Sequence, residues 1–266
     1  MKSIVEEFLN TPLENGDAIF NKFASLEGAI VGAGEHPLER YVYIPGTRAD
    51  RVVLVAHMDT VWDRSYDLRY EGTSGVGYTE GIFHSLNEGG SGIGADDRAG
   101  CAMLWLLRDS GHSILLVDGE EHGKLGAKYL KSSNPALFKE LNSHRFMIEL
   151  DAPGADQCLF LQVDNTKAFK KYICTGLNVT DAKKGGGCDL QILCKSICGV
   201  NLSVGYLNFH TKLEVLIYKD WENTYNKLKA FLEKPQKRFT TDKLRPILRF
   251  FKNCLRKIVK LFMKKK

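Results

Sequence analysis

The stretch VVLVAHMDTVWD (residues 52–63) decides the fold. Its first five residues are apolar without alternation, which is typical of a strand buried on both faces of a parallel sheet. The run ends in His57 and Asp59, separated by one residue. These two side chains are either an ordinary polar strand end or the first corner of a metal site.

Other segments extend this pattern along the chain. Apolar strands alternate with helical stretches of about ten to fifteen residues, an order that favours an α/β fold. We predict a three-layer architecture, in which a mixed, largely parallel sheet carries helices on both faces. The predicted strands are 40–46, 51–58, 113–119, 145–151, 170–176 and 199–206, and the predicted helices are 97–110, 124–133 and 211–234.

Composition restricts the class of protein. The chain has 266 residues, of which 44% are hydrophobic and 26% are charged, as in globular proteins with a proper core. No stretch of about 18 apolar residues occurs, and Glu6 and Glu7 stand where a signal peptide needs its apolar run. The seven cysteines are odd in number and several lie in apolar segments. A cytoplasmic protein with reduced cysteines is therefore expected.

Polar residues recur at the predicted strand ends. Single pairs of this kind are usually hydrogen-bonded surface groups, helix N-caps or solvated loop carboxylates. Five such segments in comparable positions are a stronger signal, because carboxylates and imidazoles together suit zinc, cobalt or manganese. The segments are AHMDT (His57, Asp59), GIGADDRAG (Asp96, Asp97), VDGEEHG (Glu120, Glu121), IELDAPG (Glu149, Asp151) and VGYLNFHTKLE (His210).

This ordered set resembles the co-catalytic di-zinc exopeptidases, the group that contains bacterial leucyl aminopeptidase and aminopeptidase Y. The resemblance spans roughly residues 40–233 and implies the zinc exopeptidase, or phosphorylase/hydrolase-like, fold. Only 39 positions separate His57 from Asp96 and only 59 separate Asp151 from His210. Neither interval holds an inserted domain, so the compact single-domain branch fits best.

The resemblance implies a role for each residue. Asp96 would bridge two Zn²⁺ ions, with Co²⁺ or Mn²⁺ as alternatives. His57 and Asp151 would complete the coordination of one ion, and Glu121 and His210 would complete that of the other. Two catalytic residues would act beside the metals: Glu120 as the general base, and Asp59 as the partner that orients the His57 imidazole. Asp97 would set the backbone next to the bridge, through a cis peptide bond as in the relatives.

Two further residues are assigned to the substrate side on weaker grounds. The segment DAKKGGGCDLQI (181–192) has Cys188-Asp189 where relatives often have Ser-Asp. Asp189 and Tyr206 are therefore predicted to line the substrate pocket, and the alternative is a role in loop structure and core packing.

The C-terminal residues differ in charge from the rest. Residues 234–266 carry a formal charge of +12, whereas the preceding residues carry −7 within a total of +5. We therefore predict two parts, a hydrolase domain (1–234) and a basic amphipathic helical tail (235–266). Through residues 240–266 the tail would dock on the body or a second subunit, or lie peripherally on a membrane surface. No nucleic-acid partner is expected.

The leading hypothesis is a zinc-dependent metallopeptidase, most simply an aminopeptidase, that acts on peptide or acyl-amino-acid substrates. Fold and metals do not fix the substrate, so two alternatives stay open. One is a non-peptidase amidohydrolase or glutaminyl-cyclase-like enzyme on the same scaffold. The other is a non-catalytic binding or membrane-tethering protein, against which the presence of Glu120 argues.

Overall fold

The centre of the fold is a group of four parallel strands, each buried along most of its length. The computed structural model describes residues 1–63, 75–86, 90–160, 163–183 and 185–241. Its strands are β1 (Ile30–Ala33), β2 (Arg40–Ile44), β3 (Val53–His57), β4 (Val76–Thr79), β5 (Ile82–Ser85), β6 (Ser113–Val117), β7 (Met147–Ala152), β8 (Gln157–Leu159), β9 (Thr180–Asp181), β10 (Gly199–Ser203), β11 (Tyr206–Leu207) and β12 (Val215–Ile217).

Eight helices are described. They are α1 (Lys2–Leu9), α2 (Asp17–Ala24), α3 (Ala95–Leu107), α4 (Leu125–Ser133), α5 (Pro135–Leu141), α6 (Lys167–Leu177), α7 (Leu190–Leu193) and α8 (Tyr218–Leu232). No described helix is both long enough and apolar enough to cross a bilayer.

The main sheet has the strand order β1-β2-β6-β3-β7-β10-β8-β9. The central strands β6, β3, β7 and β10 are parallel, and β2 and β8 flank them antiparallel. Helices α1, α2, α3, α6 and α8 cover one face, and α4, α5 and α7 cover the other. The predicted three-layer α/β fold is therefore confirmed.

A second sheet of four antiparallel strands, β11-β12-β5-β4, was not predicted. It corrects the predicted helix at 211–234, because Val215–Ile217 form a strand that pairs with Ile82–His84 and the helix begins at Tyr218. Strand pairing and burial of Leu216 here outweigh the helical spacing of the apolar residues.

The predicted strand at 170–176 is also wrong, since these residues lie within α6. Tyr, Ile, Cys and Thr favour a strand by propensity, but Phe169, Ile173 and Leu177 repeat every four residues and are buried on one helix face. Thr166 caps the helix, because its hydroxyl accepts a hydrogen bond from the Phe169 amide at 3.1 Å.

The segment after α8 continues along the body. The Gln236 amide donates a hydrogen bond to Asp50 Oδ2 at 2.7 Å, and the Phe239 ring packs against Phe146 and Phe169. The predicted amphipathic helix of the tail falls mainly on residues 242–266, which lie outside the described residues. The predicted boundary at residue 234 stays a prediction.

Candidate metal centre

The site begins where β3 ends. His57 is its last residue, and the imidazole is buried with both nitrogens occupied. Nδ1 lies 3.2 Å from Asp59 Oδ1 and 3.1 Å from the Asp59 carbonyl oxygen. Nε2 faces Asp96 Oδ1 at 3.0 Å and Asp151 Oδ1 at 3.4 Å. The ring is therefore oriented from one side and directed at two carboxylates on the other.

Asp59 has a second set of contacts that reach the neighbouring strand end. Its Oδ1 accepts a hydrogen bond from the Glu120 amide at 3.0 Å, and its Oδ2 accepts one from the Glu121 amide at 3.1 Å. The register explains this meeting, because His57 pairs with Val117 in the parallel ladder between β3 and β6. One buried carboxylate thus fixes both the His57 ring and the loop that carries the two glutamates.

Asp96 lies between two imidazoles. Its Oδ1 faces His57 Nε2 at 3.0 Å, and its Oδ2 faces His210 Nε2 at 3.2 Å. His210 Nε2 also lies 2.7 Å from Glu121 Oε1. One carboxylate that directs its two oxygens at two separate groups of side chains has the arrangement required of a bridging ligand.

The backbone around Asp96 is held by buried carboxylates. The Asp96–Asp97 peptide bond is cis, as the resemblance implied. The Asp97 carboxylate accepts hydrogen bonds from the amides of His57 (3.2 Å) and Gly100 (3.0 Å), so it is occupied by backbone donors. Glu214 accepts hydrogen bonds from the amides of Gly94 (2.7 Å) and Asp96 (3.0 Å).

Glu214 was missed at the sequence level because its segment was interpreted as the polar face of a helix. In the structure it precedes β12 and is almost fully buried, which raises the pKa of its carboxyl to about 8. Its only signal in the sequence is its position four residues after His210.

Asp151 lies at the end of β7 and makes polar contacts on two sides. Its Oδ1 accepts a hydrogen bond from the Tyr206 hydroxyl at 3.2 Å, and its Oδ2 lies 3.4 Å from the Asn201 amide nitrogen. Asn201 also exchanges hydrogen bonds with the Asp151 backbone at 2.9 Å in both directions. Tyr206, which was predicted to line the substrate pocket, therefore also contacts a predicted metal ligand.

Glu120 points towards the cavity and has a cationic neighbour. The Lys124 ammonium lies 3.0 Å from Glu120 Oε1. The sequence analysis did not identify Lys124, because a lysine four residues after a glutamate on a loop is an ordinary surface pattern.

The two residues assigned to the substrate side differ in position. Tyr206 lies on the wall of a cavity of about 170 Å³ next to the predicted metal ligands, but Asp189 does not line this cavity. Asp189 is fully buried, and its amide donates a hydrogen bond to Glu149 Oε1 at 3.1 Å. Its prediction as a substrate contact thus finds no support in this geometry. The other walls are formed by Asp96, Glu120, Glu121, Asp151, Ala152, Pro153, Gln157, Leu159, Ala182, Gly185, Gly186, Gly187, Asn201, Phe209 and His210.

The electrostatics of the group favour cations. Burial alone would lower the pKa of His57, but hydrogen bonds to Asp151, Asp59 and Asp96 outweigh it and raise this pKa well above the ordinary value. Hydrogen bonds to Asp96 and Glu121 raise the pKa of His210 to about 10. In the metal-free chain, protons therefore occupy nitrogen lone pairs that a metal would take.

Several carboxyl groups of the site also have shifted pKa values. Burial raises the pKa of Asp151 well above its ordinary value, and the charge of Asp96 adds to the effect. Burial also raises the pKa of Glu121 to about 7. Asp96 is the exception, because hydrogen bonds from His210 and His57 outweigh burial and lower its pKa. Several buried carboxyls around one ionised carboxylate form a site that added positive charge would stabilise.

The side chains present fit divalent metal ions. The ligand atoms of His57, Asp96 and Glu121 lie within 4.8 Å of one another, and so do those of His57, Asp97 and Asp151. In the second group Asp97 is already occupied by backbone amides, which leaves Asp96 and Asp151 as the available carboxylates. Imidazole and carboxylate donors in this combination suit zinc and its neighbours.

Solved structures of other proteins share this fold. Aminopeptidase PepT from Bacillus cereus superposes with a TM-score of 0.63 at 15% identity, over 86% of this chain and 96% of that chain. A tripeptidase from Staphylococcus aureus gives 0.62 at 16% identity, over 87% and 96%. The TET1 peptidase of Pyrococcus horikoshii gives 0.57 at 13% identity, over 87% and 99%.

The sequence comparisons assign the family. No curated protein matches the chain in sequence. The model of peptidase family M28 matches residues 41–180, more than half of the chain and the part that contains every predicted metal ligand except His210. The chain therefore belongs to peptidase family M28, a family of metal-dependent peptidases.

Proposed function

We propose that this protein is an aminopeptidase that uses two zinc ions to remove residues from the free amino terminus of peptides. The observation that carries the proposal is the charge of the cavity next to the metal centre. Four of its lining residues are the carboxylates Asp96, Glu120, Glu121 and Asp151, and no lysine or arginine is among the described lining residues. With Asp96, Glu121 and Asp151 on the two ions, Glu120 would be the carboxylate left to meet a free substrate amine, and the described part of the wall offers no lysine or arginine to a free substrate carboxylate.

The metal ligands would be divided between two ions. His57 and Asp151 would hold one, Glu121 and His210 the other, and Asp96 both, as its two oxygens already face the two imidazoles. Zinc bound there would lower the pKa of a water molecule and polarise the scissile carbonyl. Co²⁺ and Mn²⁺ are alternatives with the same ligand preferences.

Glu120 would move the proton. Its side chain borders the cavity and none of the contacts above assigns it to metal, so its carboxylate is available to take a proton from the attacking water and deliver it to the leaving amine. Asp59 fixes the Glu120 amide, and the Lys124 ammonium lies 3.0 Å from the carboxylate. These contacts would hold the base in one place during proton transfer.

Metal stoichiometry and product release together test the proposal. Elemental analysis of the full chain should give two ions, and release of nitroaniline from aminoacyl-nitroanilides should stop on chelation and return with zinc or cobalt. An N-acetylated substrate of the same sequence is the matched control and should not be cleaved. Equal cleavage of the acetylated substrate would exclude an aminopeptidase.

A single ion per chain would favour the cyclase-like alternative. That enzyme would convert peptides with amino-terminal glutamine to the cyclised product and would leave nitroanilides intact. No turnover of either substrate after metal is restored would favour a non-catalytic protein.

A further inference from the structure

A cavity of about 200 Å³ lies at the opposite edge of the main sheet. It is lined by Ala49, Arg51, Ser143, His144, Arg145 and Arg238. Residues 49–51 precede β3 and residues 143–145 precede β7, and these strands are parallel. The cavity therefore borders the amino ends of the strands whose carboxyl ends carry the metal centre.

Two arginines in this region are neutralised by carboxylates. Arg48 pairs with Asp50 through two contacts of 2.9 Å. Arg51 NH2 lies 3.8 Å from Glu140 Oε1, and Glu140 also accepts a hydrogen bond from the Tyr43 hydroxyl at 2.9 Å. The charges of these two arginines are therefore balanced, but each guanidinium has five N–H groups and can donate beyond its carboxylate contact.

The other two arginines are not neutralised. Within the described residues, neither Arg145 nor Arg238 has a carboxylate partner, and Arg145 Nε is buried without any hydrogen-bond acceptor. A buried donor without an acceptor costs stability. Two arginines without a carboxylate partner on the wall of one cavity form an arrangement that a bound anion would stabilise. Two positive charges thus face this space, and the described residues supply no counter-charge to them.

The position of Arg51 is fixed by a neutral histidine. His144 Nδ1 lies 3.0 Å from the Glu140 carbonyl oxygen, so it must carry the proton and donate. Nε2 is then the acceptor for Arg51 Nε at 3.1 Å and for the Ser113 hydroxyl at 2.8 Å. Because His144 is uncharged and Arg51 NH1 is held by the Arg48 carbonyl at 3.3 Å, the guanidinium is oriented before any ligand arrives.

We propose that this cavity binds a phosphate group through Arg145 and Arg238, with Arg51 as a third donor. Planar guanidinium groups bind phosphate oxygens with paired hydrogen bonds, and several converging arginines are a common way to recognise this anion. The phosphate could come from a small soluble compound or from a lipid headgroup, since both present the same chemistry. The site is separate from the metal centre and does not depend on the proposed reaction.

The experiment uses the full chain and two variants, Arg145→Gln and Arg238→Gln. Arg108→Gln is the matched control. Arg108 lies at the end of α3 over the Trp105 ring, so its substitution removes the same charge outside the cavity. Binding of inorganic phosphate and of pyrophosphate is measured by calorimetry at ionic strength matched with chloride. Vesicles of phosphatidylcholine, with and without phosphatidic acid, form the second arm.

Each cavity variant should weaken binding about tenfold, the loss expected for one charge-assisted contact, while Arg108→Gln binds as the wild type does. Site-dependent binding of free phosphate identifies a soluble ligand, and site-dependent binding of phosphatidic acid vesicles alone identifies a lipid. If both probes bind the cavity variants as tightly as Arg108→Gln, the proposal is overturned. Arg238 is exposed, so its variant tests the site even if Arg145→Gln disturbs folding.

Discussion

Histidines at the two edges of the main sheet have pKa values shifted in opposite directions. At the carboxyl edge the carboxylates around His57 and His210 raise both values, that of His210 to about 10. At the amino edge burial lowers the pKa of His112 and of His144, and the neighbouring charges of Arg48 and Arg51 lower them further. One sheet thus separates an edge at which imidazoles favour the charged form from an edge at which they favour the neutral form.

The difference arises from the partners of the imidazoles. His112 Nδ1 accepts a hydrogen bond from the Val52 amide at 3.1 Å, and its Nε2 faces the Leu232 carbonyl oxygen at 3.1 Å. A neutral ring satisfies both contacts, whereas His57 and His210 face carboxylates that prefer a positive ring or a metal. The role of a histidine in such a fold therefore follows from the charges around it, and the predictions below test each edge.

The largest effect is expected at the carboxyl edge from Glu120→Gln. Loss of the general base should lower kcat by about 10²–10⁴-fold, while the metal content stays at the wild-type level. Nitroanilide kinetics and elemental analysis measure the two quantities. Glu35→Gln, a change at an exposed glutamate, is the control and should be fully active. A Glu120→Gln enzyme with normal kcat would refute the proposed mechanism.

Asp59→Asn should have the next largest effect. The amide has only one acceptor oxygen, so the His57 ring and the amides of Glu120 and Glu121 cannot all keep their present contacts. Metal affinity should fall about 10- to 100-fold, as is usual when the partner of a ligand histidine is lost. Competition with a chromogenic chelator measures the affinity, and unchanged binding would mean that Asp59 does not orient His57.

Tyr206→Phe tests the other side of the centre. It removes the hydroxyl that lies 3.2 Å from Asp151 and leaves the Asn201 contact in place. One hydrogen bond to a carboxylate is lost, so metal affinity or kcat/KM should fall by no more than about tenfold. Tyr225→Phe, at a buried tyrosine of α8, serves as the control for a lost hydroxyl. If metal affinity fell as much as in Asp59→Asn, the Tyr206 contact to Asp151 would be as important for metal binding as the Asp59 contact to His57.

At the amino edge we expect a smaller effect, a loss of stability at acid pH. A folded-state pKa below the ordinary 6.5 means that the unfolded chain binds the proton more readily, so the free energy of unfolding falls as pH drops below about 6.5. One histidine contributes at most about 1.4 kcal/mol per pH unit. Denaturation at about pH 7.5 and about pH 5.5 measures the loss in the wild type.

His112→Gln should reduce this pH dependence, since glutamine can both accept from Val52 and donate to Leu232 without titrating in this range. His84→Gln, on the smaller sheet, is the matched control. If both variants lose stability with falling pH as steeply as the wild type, His112 is not a source of the effect.

The sequence predicts the metal centre better than it predicts the rest of the fold. His57, Glu121 and Asp151 meet because the parallel strands β3, β6 and β7 end at one edge, a rule of topology that short apolar runs already indicate. Asp96 joins them from the start of α3, and His210 from the segment after β11. Their roles as metal ligands stay predictions. Most of what failed at the sequence level depended on long-range partners that have no local pattern.

Three cases show this limit. The strand at 215–217 forms because β5 lies beside it, and the residues at 170–176 form a helix because Phe169, Ile173 and Leu177 face the core. Glu214 acts on Asp96 from 118 positions away in the chain. The strand and Glu214 are decided by neighbours that only the folded chain brings together, whereas the helix also has a local pattern, the four-residue repeat of Phe169, Ile173 and Leu177.

The dual attachment of Asp59 has a consequence for redesign of the enzyme. Because this carboxylate contacts both the His57 ring and the Glu120 amide, a substitution there would disturb the proposed metal ligand and the proposed general base together. Asn201 and Tyr206 contact Asp151 alone among the predicted ligands. An attempt to change which metal ion is bound while preserving turnover should therefore begin on that side.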